Sequence, residues 1–357
     1  MSEQHIGLSF GRVEHWHDGL GEFSLQLGRQ LAAAAPALHA NDGIVLHYHL
    51  PRRWHGTFGA QVRYIDTNDL QRLFHRRRER FALWHSLHQF NRFKPPWKTV
   101  RRLQTVHDLN FLVLKQGGKA ARYLARLRRL LARCDAVVTI SEFVRSDLLA
   151  HAPCRAPIHV IHNGVRDLTA TPQQPVPDLR SGFALHISRM APSKNVEAML
   201  ALAAAWPQRQ FVLAGADSPY VAEVRLRLHQ QGLANVRLLL DISDAQKAWL
   251  YAHCDAFMFP SLAEGFGLPP LEAMQFGKPV FLSDRTSLPE VGGDAAIYWR
   301  DFAPASMRAV MEQALAGWAA SGGPARAQAR AQRFTWTRCA QQHLELYRSL
   351  LAGAGVR

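Results

Sequence analysis

Cysteine, acidic side chains and long apolar runs are all scarce in this 357-residue sequence. Its four cysteines are scattered and form no C-x-x-C pair, so they are expected to be reduced thiols rather than a disulfide framework or a zinc site. No run reaches the roughly 18 apolar residues that a membrane-spanning helix needs. The first residues lack the basic-then-apolar pattern of a secretory signal. These absences favour a cytoplasmic globular protein, and the length predicts two or three domains.

The shortage of acidic side chains leaves a strongly basic chain. Lysine and arginine number 43 against 28 aspartates and glutamates, for a net charge of +15. Residues 1–168 hold 25 of the cations and only 13 of the acids. This half is therefore expected to face an anion, such as nucleic acid, an acidic membrane surface or a phosphorylated acceptor. A solvated basic face is the alternative.

Residues 70–98 are the most basic and aromatic part of the sequence. Arginines and lysines alternate there with phenylalanines and tryptophans. The mixture is typical of a membrane interface, where aromatic rings lie at the headgroup level and cations meet anionic lipid. It is equally typical of a helix that buries its aromatic side chains and exposes its arginines. Both interpretations stay open at this stage.

Apolar segments of strand length alternate with helical patterns on both sides of a proline-rich stretch, LTATPQQPVPDLRS, at residues 168–181. Alternation of this kind predicts parallel sheets with right-handed crossovers, and hence an α/β fold. We therefore expect a domain over residues 1–168, a linker over 169–181 and a second domain over 182–337.

The stretch EGFGLPPLEAMQFGKPV, residues 264–280, lies between two apolar runs that predict buried strands. Pro269 and Pro270 suit a first helical turn, and Gly277 suits the end of that helix. Helix N-termini bind anions, and glycines before them let a backbone approach a ligand. Glu264 on the loop and Glu272 on the helix suit the hydroxyls of a bound sugar.

Glu264 and Glu272 are separated by seven residues, and this pattern with its EGFG opening resembles the E-x7-E motif of retaining GT-B glycosyltransferases of family four, the "glycosyl transferases group 1". The resemblance implies two Rossmann-like, doubly wound parallel-sheet domains that face a central cleft. It implies a hexosyltransferase that moves a sugar from a nucleotide-diphosphate-sugar to a glycan or lipid-linked acceptor with retention, in bacterial surface polysaccharide or lipopolysaccharide biosynthesis. A helix at about 338–352 would pack back on the N-terminal domain. The enzyme would be cytoplasmic, on the inner face of the cytoplasmic membrane.

The resemblance also assigns the donor side. Glu272 would hold the ribose and Glu264 would lie near the transferred sugar. The backbone amides of the loop would face the sugar or the diphosphate, and the residues concerned are Gly265, Phe266, Gly267 and Leu268.

Arg189 and Lys194 follow the first predicted strand of the second domain. Two cations at a strand end, just before a helix, form a diphosphate site. The resembled family has its R-x4-K pair here, which stabilises the leaving nucleoside diphosphate. The sequence contains no D-x-D motif, so we expect no metal and no cofactor beyond the nucleotide-sugar.

Three residues of the N-terminal half complete the set. His107 ends a predicted strand, where open α/β sheets bind ligands, and would donate a hydrogen bond to the donor sugar or orient the acceptor. Gly19 and Gly21 precede a predicted helix that starts at Phe23 and would admit a phosphate or a sugar. The resembled family usually has adjacent glycines there, so this part of the match is loose.

Other functions fit parts of the sequence. A nucleotide-sugar-modifying enzyme of the same fold, such as an epimerase, would share the donor residues. A nucleotide-dependent oxidoreductase would use Gly19-x-Gly21, but Ser24 stands where its third glycine belongs. Nucleic-acid binding rests on charge alone, since no helix-turn-helix, zinc or RNA-binding motif is present, and we expect no nucleic-acid partner.

Overall fold

The structure is a computed structural model that describes residues 3–16, 18–114 and 118–353. The chain divides into two compact units. The first unit extends to Gly164 and takes up the chain again at Thr335, and the second unit is Val165–Phe334. The proline-rich segment 169–181 lies within the second unit.

The described part of the first unit has a seven-stranded sheet in the order β3-β2-β1-β4-β5-β6-β7, with every neighbouring pair parallel. Its elements are β1 (Gln4–Ser9), α1 (Gly19–Asp42), β2 (Ile44–Leu50), β3 (Arg63–Asp66), β4 (Phe81–Ser86), β5 (Arg101–Val106), α2 (Phe111–Leu114), α3 (Gly118–Leu131), β6 (Ala136–Thr139), α4 (Glu142–His151) and β7 (Ile158–Val160).

The second unit repeats the architecture with a six-stranded parallel sheet in the order β10-β9-β8-β11-β12-β13. Its elements are β8 (Phe183–Ile187), α5 (Val196–Ala204), β9 (Phe211–Gly215), α6 (Pro219–Gln230), β10 (Val236–Leu240), α7 (Asp244–His253), β11 (Cys254–Phe259), α8 (Leu268–Gln275), β12 (Val280–Ser283), α9 (Leu288–Gly292), β13 (Ile297–Trp299), α10 (Pro304–Gly317) and α11 (Gly323–Gln332). This 3-2-1-4-5-6 order is that of a doubly wound sheet, whose strand order reverses between β8 and β11.

The last helix of the chain, α12 (Trp336–Ala352), belongs to the first unit. Trp336, Cys339 and Tyr347 are buried in the core of that unit. The Tyr347 hydroxyl lies 2.7 Å from His85 Nδ1 on β4. The helix therefore completes a core that residues 3–164 leave open.

Two expectations about local structure need correction. The helix predicted to start at Phe23 begins four residues earlier, at Gly19, because Asp18 caps it by accepting a hydrogen bond from Gly21 N–H at 2.7 Å. Residues 70–98 contain no α-helix, which removes one of the two interpretations of that stretch, and only their first residues belong to a short 3-10 turn, Asp69–Arg72. The apolar segment 81–86 is β4, because it pairs with β1 and β5, and the basic residues lie on the irregular segments around it.

Candidate functional site

The two glutamates of the 264–280 stretch lie on consecutive elements of the second unit. β11 leads into the loop that carries Glu264, and α8 carries Glu272. Their exposed fractions are only 9% and 7%. Gly267 between them has a φ of 114°, and a Cβ there would lie 2.9 Å from Leu288 Cδ2. Glycine is therefore needed at this turn, which opens α8 as the sequence predicted.

Glu264 is paired with a cation from a separate loop. Lys194, which ends the short 3-10 turn Pro192–Lys194, donates a hydrogen bond from Nζ to Glu264 Oε1. The same Nζ lies 5.4 Å from the ring centroid of Phe259. An ammonium has three donors and a carboxylate about four acceptor positions, so both groups keep capacity for a ligand. Two residues that the sequence assigned separately are thus in direct contact.

The backbone of the Glu264 loop is fixed by two hydroxyls that the sequence analysis missed. Ser287 is fully buried, and its Oγ lies 3.1 Å from the Glu264 carbonyl and 2.8 Å from the Phe266 carbonyl, which share its single proton. Thr286 Oγ1 accepts from the N–H of Glu264 at 3.1 Å. Both hydroxyls precede α9 and are more than 20 residues from the loop, so no local pattern marks them.

Glu272 is held by two side chains of α7. Lys247 Nζ lies 2.7 Å from its carboxylate, and the hydroxyl of Tyr251 donates to Oε2, also at 2.7 Å. Burial, followed by the charge of Glu272, keeps the pKa of Tyr251 well above its ordinary value, so the phenol stays a donor. Lys247 and Tyr251 are one helical turn apart, and no local sequence pattern indicates that this face of α7 meets Glu272.

Arg189 follows β8 and is exposed. Among the residues that the structure describes, its guanidinium has no carboxylate partner. The strand end before it carries a buried histidine. Burial lowers the pKa of His186 to about 4, so this side chain is neutral. Its Nδ1–H then donates to the Met258 carbonyl at 2.8 Å, and its Nε2 accepts from Ser188 Oγ at 2.6 Å. The free cation thus extends from a well-supported strand.

Gly19 and Gly21 lie in the first turn of α1, in the first unit. Asp18 already accepts from the amide of Gly21. A Cβ on Gly21 would lie 2.8 Å from the His15 carbonyl oxygen, whereas one on Gly19 would meet nothing within 4 Å. Gly21 is therefore needed for close packing of the preceding loop, and the space for a ligand is at Gly19.

His107 follows β5 in the first unit and is buried. Burial lowers its pKa to about 4, so the ring is neutral. Its Nε2 lies 2.8 Å from the Leu87 carbonyl and must carry the proton, which leaves Nδ1 as an acceptor. Phe23 of α1 packs edge-on against the ring at 4.6 Å, so the start of α1 and His107 are neighbours. As a neutral ring, His107 can accept from a sugar hydroxyl but has no donor left for one.

No three histidine, cysteine, aspartate or glutamate side chains of residues 3–16, 18–114 and 118–353 are grouped as a metal site would need. In the same residues, no helix is long and apolar enough to cross a membrane.

Both units match family models. Residues 169–316 match the model described as Glycosyl transferases group 1, and residues 30–167 match Glycosyltransferase Family 4. The chain is 27% identical to the O-antigen chain mannosyltransferase B of Escherichia coli, across 93% of this chain and 96% of that protein. It is 33% identical to the serotype-specific mannosyltransferase WbdA of Escherichia coli over 72% of its own length, but it spans only 34% of WbdA.

Solved structures share the fold. The sucrose-phosphate synthase of Thermosynechococcus elongatus superposes with a TM-score of 0.77 at 21% identity, covering 98% of this chain and all of that one. Alr3699/HepE of Anabaena, solved in complex with UDP and glucose, gives a TM-score of 0.71 at 20% identity, with coverage of 97% and 100%. At these identities the likeness establishes a common architecture.

Proposed function

This chain belongs to the glycosyl transferases group 1 family and has the GT-B fold, and on that premise we propose that it transfers a mannosyl residue from a nucleoside-diphosphate donor to a glycan or lipid-linked acceptor in O-antigen or lipopolysaccharide biosynthesis. The sugar is taken from the mannosyltransferases that it resembles along its length. The contact between Lys194 and Glu264 carries the proposal, because it joins a cation suited to the leaving diphosphate to a carboxylate suited to the sugar.

In the proposed donor complex, the second unit holds the nucleotide-sugar. Glu272 binds the ribose hydroxyls with the acceptor positions that Lys247 and Tyr251 leave open. The glycine loop before α8 brings its backbone to the diphosphate, since no side chain caps this helix in the described structure. Arg189 and Lys194 then face the phosphates.

The proposed reaction breaks the bond between the anomeric carbon and the diphosphate oxygen. Negative charge grows on that oxygen, and Arg189 and Lys194 stabilise it in place of a metal. The acceptor hydroxyl attacks from the same face, its proton passes to the departing phosphate oxygen, and the configuration is retained. A covalent intermediate on Glu264 is disfavoured, because its carboxylate is already paired with Lys194 and is a weaker nucleophile for it.

The acceptor side of the proposal rests on the first unit. His107 accepts a hydrogen bond from a sugar hydroxyl through Nδ1. An exposed apolar patch on the same unit would hold the enzyme at the inner face of the cytoplasmic membrane, close to a lipid-linked acceptor. Its members are Leu70, Leu73, Phe74 and Trp97, with exposures from 63% to 74%. Arg76 lies 5.3 Å from the Trp97 ring centroid, which puts a cation beside the aromatic surface.

The test is a transfer assay with the full chain and a panel of nucleoside-diphosphate hexoses, with a lipid-linked glycan as acceptor. We expect product from the mannosyl donor. Its anomeric configuration, measured by NMR coupling, should be that of the donor, and the rate of transfer should be undiminished by EDTA. Lys194→Ala and Arg189→Ala should each raise the activation free energy by about 2–4 kcal/mol and so lower turnover. Product from another hexose alone would refute mannose. Release of nucleoside diphosphate without a glycosylated product would refute transfer.

A further inference from the structure

A basic cavity of about 270 Å³ lies in the first unit between α3, the segment 91–95 and one face of the sheet. Apolar side chains form part of its wall, among them Trp84, Phe93 and Leu130. Six cations also line it: Arg92, Lys94, Arg102, Arg126, Arg129 and Arg133. No aspartate or glutamate is among the lining residues that the structure describes. The cavity uses residues of the first unit only and shares none with the proposed donor site.

These cations differ from others near them in having no carboxylate partner within the described residues. Arg101, next to Arg102, is paired with Asp135 at 2.9 Å, and Arg77 is paired with Glu79 at 3.2 Å. In the cavity, Arg126 reaches only the Asn91 carbonyl, at 3.3 Å, and Lys94 only the Leu73 carbonyl, at 3.1 Å. Arg102 and Arg126 are partly buried, and the other four cations are exposed to water. Like charges around one small space repel one another, and a bound anion would offset this repulsion.

One further observation supports this electrostatic argument. Arg126 is half-buried, and burial, followed by the charge of Arg92, lowers its pKa. A bound anion would relieve the repulsion between the guanidinium groups. Guanidinium forks match the geometry of phosphate oxygens, and the volume is about nine times the roughly 30 Å³ that one water occupies in the liquid, which leaves room for a phosphate group.

We propose that the basic cavity is a binding site for a phosphate group, either that of a phosphomonoester or that of a diphosphate. Lys94 connects it to the apolar patch, because its Nζ donates to the backbone of Leu73. The bound phosphate therefore belongs either to an anionic lipid headgroup at that patch or to a soluble phosphate. The chemistry of recognition is the same in both cases.

The test measures pyrophosphate binding by calorimetry in the full chain carrying Arg189→Ala, so that the proposed donor site contributes little. Arg126→Gln and Arg129→Gln should each weaken binding about tenfold, the loss expected when one charge-assisted hydrogen bond is removed. Arg122→Gln is the matched control, because it removes one exposed charge from the same helix outside the cavity lining. Arg129 is exposed on α3, so its variant is expected to fold even if Arg126→Gln does not.

Flotation with vesicles then distinguishes the two sources. If anionic vesicles bind the chain and pyrophosphate displaces it, the phosphate is that of a lipid. If pyrophosphate binds in the cavity but does not displace the vesicles, the ligand is a soluble phosphate. Equal pyrophosphate affinity in wild type, Arg126→Gln and Arg129→Gln would overturn the proposal. An equal loss in Arg122→Gln would also overturn it, because net charge rather than the cavity would then account for binding.

Discussion

At the scale of single residues, Glu264 and Glu272 have different neighbours and should respond differently to the same substitution. Glutamine keeps a hydrogen-bond acceptor but loses the charge, and a hydrogen bond to a charged acceptor is worth about 1 kcal/mol more than one to a neutral acceptor. We expect Glu272→Gln to weaken binding of both the donor and the bare nucleoside diphosphate. Glu264→Gln should leave diphosphate binding nearly unchanged and lower turnover more. Calorimetry with the diphosphate and steady-state rates with the donor separate the two effects, and the opposite pattern would mean that the roles are exchanged.

Tyr251 provides a finer test of the ribose assignment, since its hydroxyl orients Glu272 without being expected to touch the donor. Tyr251→Phe keeps the ring packing but removes the 2.7 Å hydrogen bond to Glu272. We therefore expect the binding free energy of the nucleoside diphosphate to weaken by about 1 kcal/mol or more. Tyr298→Phe is the control, because it removes a 2.7 Å bond to the Gly293 carbonyl, away from both glutamates. If both variants lose affinity equally, Glu272 is not the group that Tyr251 supports.

At the scale of elements, the loop that opens α8 depends on the conformation of one residue. Gly267→Ala puts a side chain at a φ of 114° and within 2.9 Å of Leu288. The strain should lower the free energy of unfolding by about 1–3 kcal/mol and displace the loop, so that donor affinity falls as well. Gly317→Ala, in α10 with open space around it, should leave both unchanged. Chemical denaturation and donor titration measure the two effects, and normal donor binding by Gly267→Ala would remove this loop from the donor site.

The exposed apolar patch is the second element-scale case. Replacing Phe74 and Trp97 by serine removes two of its largest side chains, which are 74% and 64% exposed. We expect the double variant to lose most binding to anionic vesicles while donor binding stays normal, since exposed side chains contribute little to the fold. Leu226→Ser, an exposed apolar site in the second unit, should bind vesicles as wild type does.

Reversing the charges of Arg76, Arg77 and Arg78 should weaken vesicle binding in a salt-dependent way. If both the serine double variant and the charge-reversal variant bind anionic vesicles as wild type does, residues 70–98 are a solvated face rather than a membrane contact.

At the scale of the whole molecule, buried neutral histidines make stability depend on pH. Burial is the main cause of a lowered pKa at His47, His88, His107, His186 and His343, each to about 4, and at His49, to about 3. Between pH 6.5 and 4 the unfolded chain binds more protons than the folded one, so stability falls as pH falls. Each such group removes at most about 1.4 kcal/mol per pH unit, and only between pH 6.5 and its own folded-state pKa. Denaturation midpoints at pH 7.5 and 5.0 measure the effect, and equal midpoints would contradict it.

The sequence predicted the two α/β units and the placement of both glutamates because those signals are local. Apolar runs mark parallel strands, and Pro269, Pro270 and Gly277 mark the ends of α8. It did not predict that Lys194 meets Glu264, or that Lys247 and Tyr251 meet Glu272, because these contacts join side chains 21 to 70 residues apart. The helix considered for residues 70–98 is absent for a related reason. The basic and aromatic composition of this segment does not reveal β4, which is defined by its pairing with β1 and β5.

The return of α12 to the first unit has a consequence for synthesis on the ribosome. The second unit is contiguous in the chain and can fold as soon as Phe334 has emerged, whereas the first unit waits for its last helix. Until Tyr347 is translated, His85 Nδ1 lacks the partner that the helix supplies, although 164 residues of that unit were made first. Domains usually mature in the order of their synthesis. Here the half that begins first should finish last, because α12 completes its core.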